Sequence, residues 1–486
     1  MRDMQRDLKP SFMVLLTLPA TAMGFALSVQ IAVLSVLLST KYGLEIHEIG
    51  LVWAAGPLAG IFGQVIIGLI SDEAWFWGGR RRPFILIGGV LAALALLALP
   101  SLGLIANALG LESVLGVAIV VALGLDLSIN VSFNPARSII ADVTPEGRIR
   151  TKGYTWMQTV SGTVSLFAYL IGAVMGNLAL IYIGAALVLV LSIFPVFAIE
   201  EPRSLTPAQD GVEPEKTPLM ENLGSIALLL LPLWALIVYC IYAMGLKIAG
   251  IEQTSFMPEY ICFGVTMLLM GYTLLAKDRG REFLKEDLVE FRKLMVGHAF
   301  SWVGVQTMFV YIFAFIQERL PGLTDKELGS VIAISFLILN AVAALLPAFV
   351  LQPLTDRWGR VRVHAACLAS MALSYGAIVL FAHSAMSLYV LMAFVGIGWS
   401  AIVSLPFAMM SLRVKQARMG LYMGLFNLSV VLPQLLVSLG VGLFVSRAPD
   451  KGVVFMISAV SLALASVAWL GVRRMGVESA GAEMAA

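Results

Sequence analysis

Four polar side chains recur along an apolar stretch that runs from about residue 114 to 141. An aspartate, two asparagines and an arginine follow one another at three- and four-residue spacings: Asp126, Asn130, Asn134 and Arg137. On a helix these spacings place all four on one face. The stretch is long enough to cross a bilayer, and a carboxyl group in its middle costs about 2.5–3.5 kcal/mol on an insertion scale. We therefore expect the stripe to face a water-filled cavity. The alternative is that the carboxyl is buried and only links neighbouring helices by hydrogen bonds.

The composition of the whole chain is that of an integral membrane protein. Of the 486 residues, 59% are hydrophobic and 13% are charged, whereas soluble domains carry about 25% charged residues. Long apolar runs without strand alternation favour an all-α bundle. The three cysteines all lie in apolar runs and have neither disulfide nor metal-ligand spacing, so we interpret them as small core residues.

Apolar runs divide the chain into about fourteen predicted spans, grouped six, two and six. The predicted units are an N-terminal six-helix half (1–199), a middle unit (200–293) and a C-terminal six-helix half (294–486). The middle unit combines a polar linker, two extra membrane helices and a cytoplasmic amphipathic segment. Arginine and lysine concentrate in alternate connections. By the positive-inside rule, these connections and both termini are cytoplasmic.

A charged loop motif occurs once in each predicted half. It closes the second span of either half: Gly68-Leu69-Ile70-Ser71-Asp72 with Gly79-Arg80-Arg81-Arg82, and Pro353-Leu354-Thr355-Asp356-Arg357-Trp358-Gly359-Arg360. Its recurrence indicates a parallel duplication. The pattern resembles the loop motif of the major facilitator superfamily. The aspartate can cap a helix end and pair with loop arginines, locking one access state; the alternative is plain positive-inside charge.

Further stretches are similar to the sucrose/glucoside:proton symporters, the plant sucrose transporters and their animal and bacterial relatives. The similarity covers most of both halves but not residues 200–290. The segments that carry it are WAAGPLAG (53–60) with Gln64, GRRRPFI (79–85), Asp126-Leu127, Asn130, Pro135, Arg137, Ala141-Asp142, SLPFA (404–408), GLFNL (424–428) and LPQLLVSLG (432–440).

This resemblance implies a proton-coupled symporter that imports a glucoside disaccharide such as sucrose or maltose by alternating access. In such a protein Asp126 would take up a proton and hydrogen-bond a sugar hydroxyl, and burial favours the neutral form of a carboxyl. Asn130, one turn away, could bind sugar hydroxyls. Arg137, roughly 16 Å further along, would pair with Asp72 or Asp142 in gating. The charged groups expected to act in gating are Asp72, Arg80, Arg81, Arg137, Asp142, Asp356, Arg357 and Arg360.

Periodicity alone adds candidates for the cavity wall. The first predicted span carries a stripe of small polar residues: Thr21, Gly24, Ser28 and Ser35. Gln30 lies on another face of the same span. The fifth predicted span carries a second stripe: Tyr154, Gln158, Ser161, Ser165 and Tyr169. Aromatic rings stack on sugars and amides bind hydroxyl groups. Trp302 and Gln306, in the seventh helix, are therefore candidates for a joint sugar contact. The alternative for each candidate is simple helix packing. The predicted substrate-binding residues are Asp126, Asn130, Gln158, Trp302, Gln306 and Asn427.

Several other functions are weighed against this prediction. No phosphate loop, nucleophile elbow or metal-ligand spacing occurs in the sequence, so we expect neither an enzyme nor a cofactor or metal. A facilitator for another small solute, or a non-transporting sensor or assembly factor of the same fold, remains open. We expect sugar, proton and lipid bilayer as partners, no nucleic acid, and a monomer. Short termini and compact loops favour a bacterial inner membrane.

Overall fold

The computed structural model describes residues 9–60, 75–144, 148–201, 223–249, 251, 255–276, 288–411, 413 and 419–472. Within these ranges the chain is helical apart from its connections and one isolated backbone bridge between Phe76 and Gly79. The predicted residues Gln64 and Asp72 lie outside the described residues. So do the linker from 202 to 222 and most of the predicted amphipathic segment.

Nineteen α-helices occupy the described residues. The first seven are α1 Pro10–Thr40, α2 Ile46–Trp53, α3 Arg82–Ala98, α4 Leu102–Ala108, α5 Val114–Val143, α6 Arg148–Met175 and α7 Asn177–Ala198. The middle unit holds α8 Leu223–Leu229, α9 Trp234–Ile248 and α10 Met257–Leu275. The remaining helices are α11 Leu288–Arg319, α12 Asp325–Leu346, α13 Gln352–Trp358, α14 Arg360–Phe381, α15 Ala385–Ser404, α16 Pro406–Ser411, α17 Met419–Leu436, α18 Gly442–Arg447 and α19 Val453–Leu470.

Eleven stretches of the described chain are long and apolar enough to cross a membrane. Two shorter apolar helices, Thr159–Met175 and Leu231–Lys247, accompany them. The prediction of an all-helical membrane protein is thus confirmed. The number fourteen stays a prediction, because the second predicted span runs into residues that the structure does not describe. The unit boundaries at 199 and 293 also stay predictions.

Local sequence explains where several helices begin and end. Thr324 forms a capping box with Glu327 before α12, and Ser384 forms one with Ser387 before α15. Such boxes satisfy backbone N–H groups that a helix start leaves unpaired. Gly359 joins α13 to α14 with a φ of +82°, a backbone conformation that favours glycine.

Close packing within each half depends on small residues. In the N-terminal half α1 packs on α6 and α7, and α3 packs on α5 and α7. In the C-terminal half α11 packs on α17 and α19, and α14 packs on α15 and α19. Ser458 Oγ donates to the Gly304 carbonyl oxygen at 2.8 Å, and a Cβ at Gly304 would lie 2.9 Å from the Ser458 carbonyl oxygen. Small residues let membrane helices approach this closely.

The two halves meet along α6 and α12 and at one end of the bundle. We call this end, which holds connections 41–45, 320–324 and 448–452, the far end. Gly50 lies against the Tyr311 hydroxyl, and a Cβ at Gly50 would lie 2.6 Å from the Ser438 carbonyl oxygen. The Tyr311 hydroxyl donates to the Val437 carbonyl oxygen at 3.1 Å. We call this contact, completed by Gly442, the far-end seam.

The segment Val437–Val441, between α17 and α18, is a π-helix. A π-turn widens the helix and shifts backbone carbonyls out of the regular hydrogen-bonding pattern. The Val437 carbonyl that receives the Tyr311 hydroxyl belongs to this turn. The π-turn therefore forms one side of the far-end seam.

Candidate functional site

The carboxyl group of Asp126 is buried between three helical segments. Asp126 lies midway along α5 and its residue is 8% exposed. Gln30 Nε2, on α1, donates to Asp126 Oδ2 at 3.0 Å. On another side is Gly56, in the helical turn after α2, where a Cβ would lie 3.3 Å from Oδ2. The absence of a side chain at position 56 makes room for the carboxyl.

Gln30 is a site residue that the periodicity argument did not select. It lies off the polar stripe of α1, and that other face is the one that meets Asp126. The signal in the sequence that could have identified Gln30 is that it is a single amide side chain within a long apolar helix. Gln30 is 1% exposed, and its Oε1 has no hydrogen-bond partner among the described residues. An acceptor buried in this way is costly to leave unpaired.

The other members of the α5 stripe have different surroundings. The Asn130 side-chain nitrogen donates to the Asp126 backbone carbonyl at 2.8 Å, so this donor serves the helix itself. The Arg137 guanidinium lies 4.0 Å from the centroid of the Phe133 ring, and Arg137 is exposed. The stripe therefore passes from a buried carboxyl to an exposed guanidinium within one helix.

The described part of the first loop copy, residues 79–82, is partly to fully buried and makes several hydrogen bonds. Arg81 Nε lies 3.1 Å from Asp142 Oδ2, with side chains 7% and 11% exposed. The Glu201 carboxylate accepts the backbone N–H groups of Arg80 and Arg81 at 2.8 Å and that of Arg82 at 2.7 Å. Glu201 was not predicted. It follows α7, and its role as an anion at the start of α3 needs the tertiary structure to be recognised.

The second copy of the loop motif differs in burial. Asp356, Arg357 and Arg360 are all exposed where α13 meets α14. The structure thus brings Arg81 together with Asp142 but leaves the corresponding charges of the C-terminal half at the surface. Asp72, the aspartate of the first copy, is outside the described residues.

An aromatic cluster lines the inner side of α11. Trp302 Nε1 donates to His298 Nε2 at 3.1 Å, and the His298 ring stacks on Phe426 with centroids 4.8 Å apart. Because Nε2 accepts, the ring proton of His298 is on Nδ1. His298 is fully buried, and Nδ1 has no hydrogen-bond partner among the described residues. The Trp302 ring meets Trp399 edge-on at 5.9 Å.

Amides continue this cluster toward the N-terminal half. Trp399 Nε1 donates to Asn340 Oδ1 at 3.2 Å. The Tyr169 hydroxyl, on α6, lies near Asn340 and near Ser28 of α1. Polar side chains of α1, α6, α12 and α15 are therefore neighbours where the two halves meet.

The remaining predicted binding residues are only partly joined. Gln434 Nε2 donates to Gln306 Oε1 at 3.4 Å, which adds Gln434 to the site. Asn427 is partly buried on α17, two turns before Gln434. Gln158 lies on α6, but its side chain is outside what the structure describes. Trp302 and Gln306 lie on one face of α11, as their spacing predicts.

The matching polar stripes of α1 and α6 pack against each other. Thr21 Oγ1 and Ser161 Oγ are 3.0 Å apart, and a Cβ at Gly24 would lie 3.6 Å from Ser165 Oγ. These residues hold two membrane helices together, which was the alternative weighed for every periodic candidate.

These groups combine a buried carboxyl with indoles and amides. A buried carboxyl can bind and release a proton, amides can bind hydroxyl groups, and indole faces can cover an apolar ring surface. In the part of the chain that the structure describes, no three histidine, cysteine, aspartate or glutamate side chains gather as a metal ion would require.

Sequence comparison places relatives along most of the chain. A rice sucrose transport protein, SUT2 of Oryza sativa subsp. indica, is 24% identical over 476 residues, covering 87% of this chain and 84% of the relative. The Arabidopsis thaliana sucrose transport protein SUC4 is 23% identical over 474 residues, covering 89% and 84%. The resemblance predicted from the helix and loop motifs is thereby confirmed.

Structure comparison gives the same fold. The inward-open xylose transporter XylE from E. coli aligns with a TM-score of 0.59 at 14% identity, covering 96% of this chain and 97% of that structure. At this identity the match concerns the fold alone.

A family model decides the assignment. The model described as Major Facilitator Superfamily matches residues 16–277 and 283–483, which is nearly the whole chain. This agrees with the recurring loop motif and with the fold of XylE. It makes the protein a transporter rather than an enzyme. The chain belongs to the major facilitator superfamily.

Proposed function

We propose that the chain is a proton-coupled symporter that imports a glucoside disaccharide, such as sucrose or maltose, by alternating access. The observation that carries the proposal is the buried Asp126 carboxyl, hydrogen-bonded by Gln30 midway along a membrane-spanning helix. An ionisable group at that depth is expensive and is therefore a functional candidate. Similarity to sucrose transport proteins over most of the chain supports a sugar as the substrate.

Asp126 is the group that carries the proton in this mechanism. Because Gln30 Nε2 donates to Oδ2, the neutral carboxyl would carry its proton on Oδ1 in this mechanism. The neutral group can donate a hydrogen bond to a sugar hydroxyl, whereas the carboxylate can only accept one. The sugar therefore contacts the loaded and unloaded forms differently, and such a difference in binding free energy is what couples two ligands.

Gln30 provides a second contact for the sugar. Its Oε1 is buried without a hydrogen-bond partner among the described residues, beside the carboxyl that its nitrogen holds. A sugar hydroxyl donating to this oxygen would satisfy it. One side chain would then orient the carboxyl and bind the substrate.

The C-terminal half supplies the other wall of the proposed sugar site. Trp302 and Trp399 offer indole faces, while Asn340, Gln306 and Gln434 offer amides. A sugar has apolar ring faces rimmed by hydroxyls, so this mixture suits it. Asn427 and Gln158 are retained as proposed contacts on their helix faces.

Alternating access needs ends that open and close in turn. We propose that the far-end seam closes the outer side, since the arginine-rich connections and both termini are assigned to the cytoplasm of a bacterial inner membrane. The Arg81–Asp142 pair and the other predicted gating charges act at the cytoplasmic side. Rocking of the two halves around a central site is the motion typical of this kind of duplication.

The test measures proton uptake by proteoliposomes when maltose, sucrose or glucose is added. We expect the external pH to rise with one disaccharide, and Asp126→Asn to abolish this rise and uphill sugar uptake. Sugar binding, followed by tryptophan fluorescence, should persist in part in the variant. Asp325→Asn, which changes an exposed aspartate at the far end, is the matched control and should behave as wild type.

Each other result has a definite meaning. Sugar uptake without proton movement in the wild type would identify a facilitator. Sugar binding without uptake would identify a sensor or assembly factor. Full uphill uptake by Asp126→Asn would show that the proton is carried elsewhere.

A further inference from the structure

The helices of the middle unit pack on the C-terminal half beside the π-helix. α9 packs on α17 and on the π-helix, and α10 packs on α11. The side of α9 that makes these contacts is buried, and it carries Leu236, Tyr239 and Cys240. Cys240 Sγ lies 3.9 Å from the Leu432 carbonyl oxygen of α17. The middle unit is therefore in direct contact with the segment that forms one side of the far-end seam.

The Tyr239 hydroxyl meets the backbone of the π-helix at a glycine. A Cβ at Gly440 would lie 2.5 Å from the Tyr239 hydroxyl oxygen and 3.2 Å from the ring carbon Cζ. A Cβ cannot approach an oxygen that closely, so any side chain at position 440 would displace either the tyrosine or the turn. The contact between the middle unit and the π-helix thus depends on glycine at this position.

A hydrogen bond between α9 and α10 fixes the Tyr239 hydroxyl against the π-helix. The hydroxyl donates to Glu259 Oε1 at 2.6 Å, and Glu259 lies in the first turn of α10. Tyr239 is 3% exposed, so neighbouring side chains enclose its ring. Both helices of the middle unit therefore hold this tyrosine in place.

Two tyrosine hydroxyls touch the same turn, each at a glycine. Tyr239, from α9, meets Gly440. Tyr311, from α11, meets Gly442 and donates to the Val437 carbonyl oxygen. The same oxygen accepts the Gly442 backbone N–H, which is the five-residue bond that defines a π-turn. A shift of the turn at Gly440 would therefore move the carbonyl group that Tyr311 binds.

The N-terminal half packs on the other side of this turn. Gly50 lies against the Tyr311 hydroxyl, and a Cβ at Gly50 would lie 2.6 Å from the Ser438 carbonyl oxygen. Contacts this close tolerate little displacement, because packed interiors leave few voids. The position of the π-helix therefore decides whether the two halves can meet at the far-end seam.

We propose that Tyr239 is a positioning residue for the transport cycle. It holds the π-helix in place at Gly440, so that Tyr311 and the turn present the surface on which Gly50 packs. The middle unit thereby favours the closed form of the far-end seam, since an interaction that supports one state shifts the population toward it. This role rests on the alternating access proposed above. It gives a function to two helices that lie outside the resemblance to the sucrose/glucoside symporters.

The experiment measures the ratio of closed to open molecules at the far end. Spin labels are attached to full-length protein in nanodiscs at two exposed positions, Glu112→Cys in the N-terminal half and Lys326→Cys in the C-terminal half. Their distance distribution gives the ratio, and the Tm is measured in parallel. The three native cysteines are buried, and protein without the introduced pair should take up no label.

We expect Tyr239→Phe to lower this ratio about threefold, because it removes one hydrogen bond. Gly440→Ala should lower it about tenfold, because the added Cβ displaces the hydroxyl or the turn. In the combined variant the hydroxyl is gone, so the alanine should have a smaller effect than it has alone. The matched controls are Tyr242→Phe, 43% exposed on α9, and Gly264→Ala, whose Cβ would meet nothing within 4 Å; both should behave as wild type.

The other outcomes would overturn this role. Equal effects of Gly440→Ala with and without the Tyr239 hydroxyl would show that the hydroxyl is not what the alanine displaces. A lower Tm with an unchanged ratio in both single variants would show that the contact only holds the middle unit in place. The distances need no sugar, so a failed uptake assay would count against the proposed function, while the ratio alone decides the role of Tyr239.

Discussion

The two halves of the bundle share a loop motif and an architecture, but they bring different chemistry to the centre. The N-terminal half contributes a carboxyl and its amide partner, Asp126 and Gln30. The C-terminal half contributes the His298 imidazole, which is hydrogen-bonded by the Trp302 indole, and further aromatic rings surround the pair. In the site that we propose, one half carries the charge and the other provides the shape, because the sugar contacts both.

The two copies of the loop motif also differ, in how deeply their charged side chains are buried. In the first copy Arg81 is buried against Asp142, and Glu201 binds three successive backbone N–H groups. In the second copy Asp356 and Arg357 are exposed. Similar sequence therefore does not imply similar energetics, because an ion pair shielded from water contributes differently from charges in solvent.

The largest expected effect separates the two loop copies. Arg81→Gln leaves the Asp142 carboxylate buried without its guanidinium, which should cost about 3 kcal/mol of stability. Arg357→Gln changes an exposed charge and should cost less than about 0.5 kcal/mol. Thermal unfolding in detergent measures both. Equal losses for the two variants would remove the distinction between the copies.

A smaller effect, on the KM for sugar uptake, is expected from changes in the aromatic cluster of α11. Trp302→Leu removes an indole face, and the KM for disaccharide uptake should rise about tenfold, the upper end for one aromatic contact. Trp302→Phe should lie between this variant and wild type. Trp234→Leu, on a partly exposed tryptophan of the middle unit, is the control. Initial uptake rates into proteoliposomes provide the KM, and an unchanged KM in Trp302→Leu would contradict a sugar contact there.

The smallest effect concerns His298, which accepts a hydrogen bond from Trp302. His298→Phe keeps a ring stacked on Phe426 but removes the acceptor of the Trp302 N–H. Loss of one hydrogen bond predicts a rise in KM of about fivefold without a change in maximal rate. His364→Phe is the control, because that buried histidine packs on Trp469 instead. A fall in maximal rate with an unchanged KM would assign His298 to the transport step rather than to positioning Trp302.

The sequence predicted the helical class and the superfamily, because apolar runs and short motifs are local features. It also singled out Asp126 as an unusual carboxyl within an apolar helix, and the role of that carboxyl stays a prediction. Spacing also placed Trp302 and Gln306 on one face of α11. It did not find Gln30 or Glu201, since their partners Asp126 and Arg80 are 96 and 121 residues away in the chain. Nor could it separate the packed stripes of α1 and α6 from a substrate surface, because small polar residues serve both purposes.

The far-end seam has a consequence for how the protein changes state. Two of its residues, Gly50 and Gly442, have no side chains, so closing the seam costs no rotamer entropy at either position. The hydroxyl of Tyr311 adds one hydrogen bond to the Val437 carbonyl oxygen. A junction in which backbone meets a single ring needs little side-chain rearrangement to part and re-form, which suits a protein that must change state repeatedly.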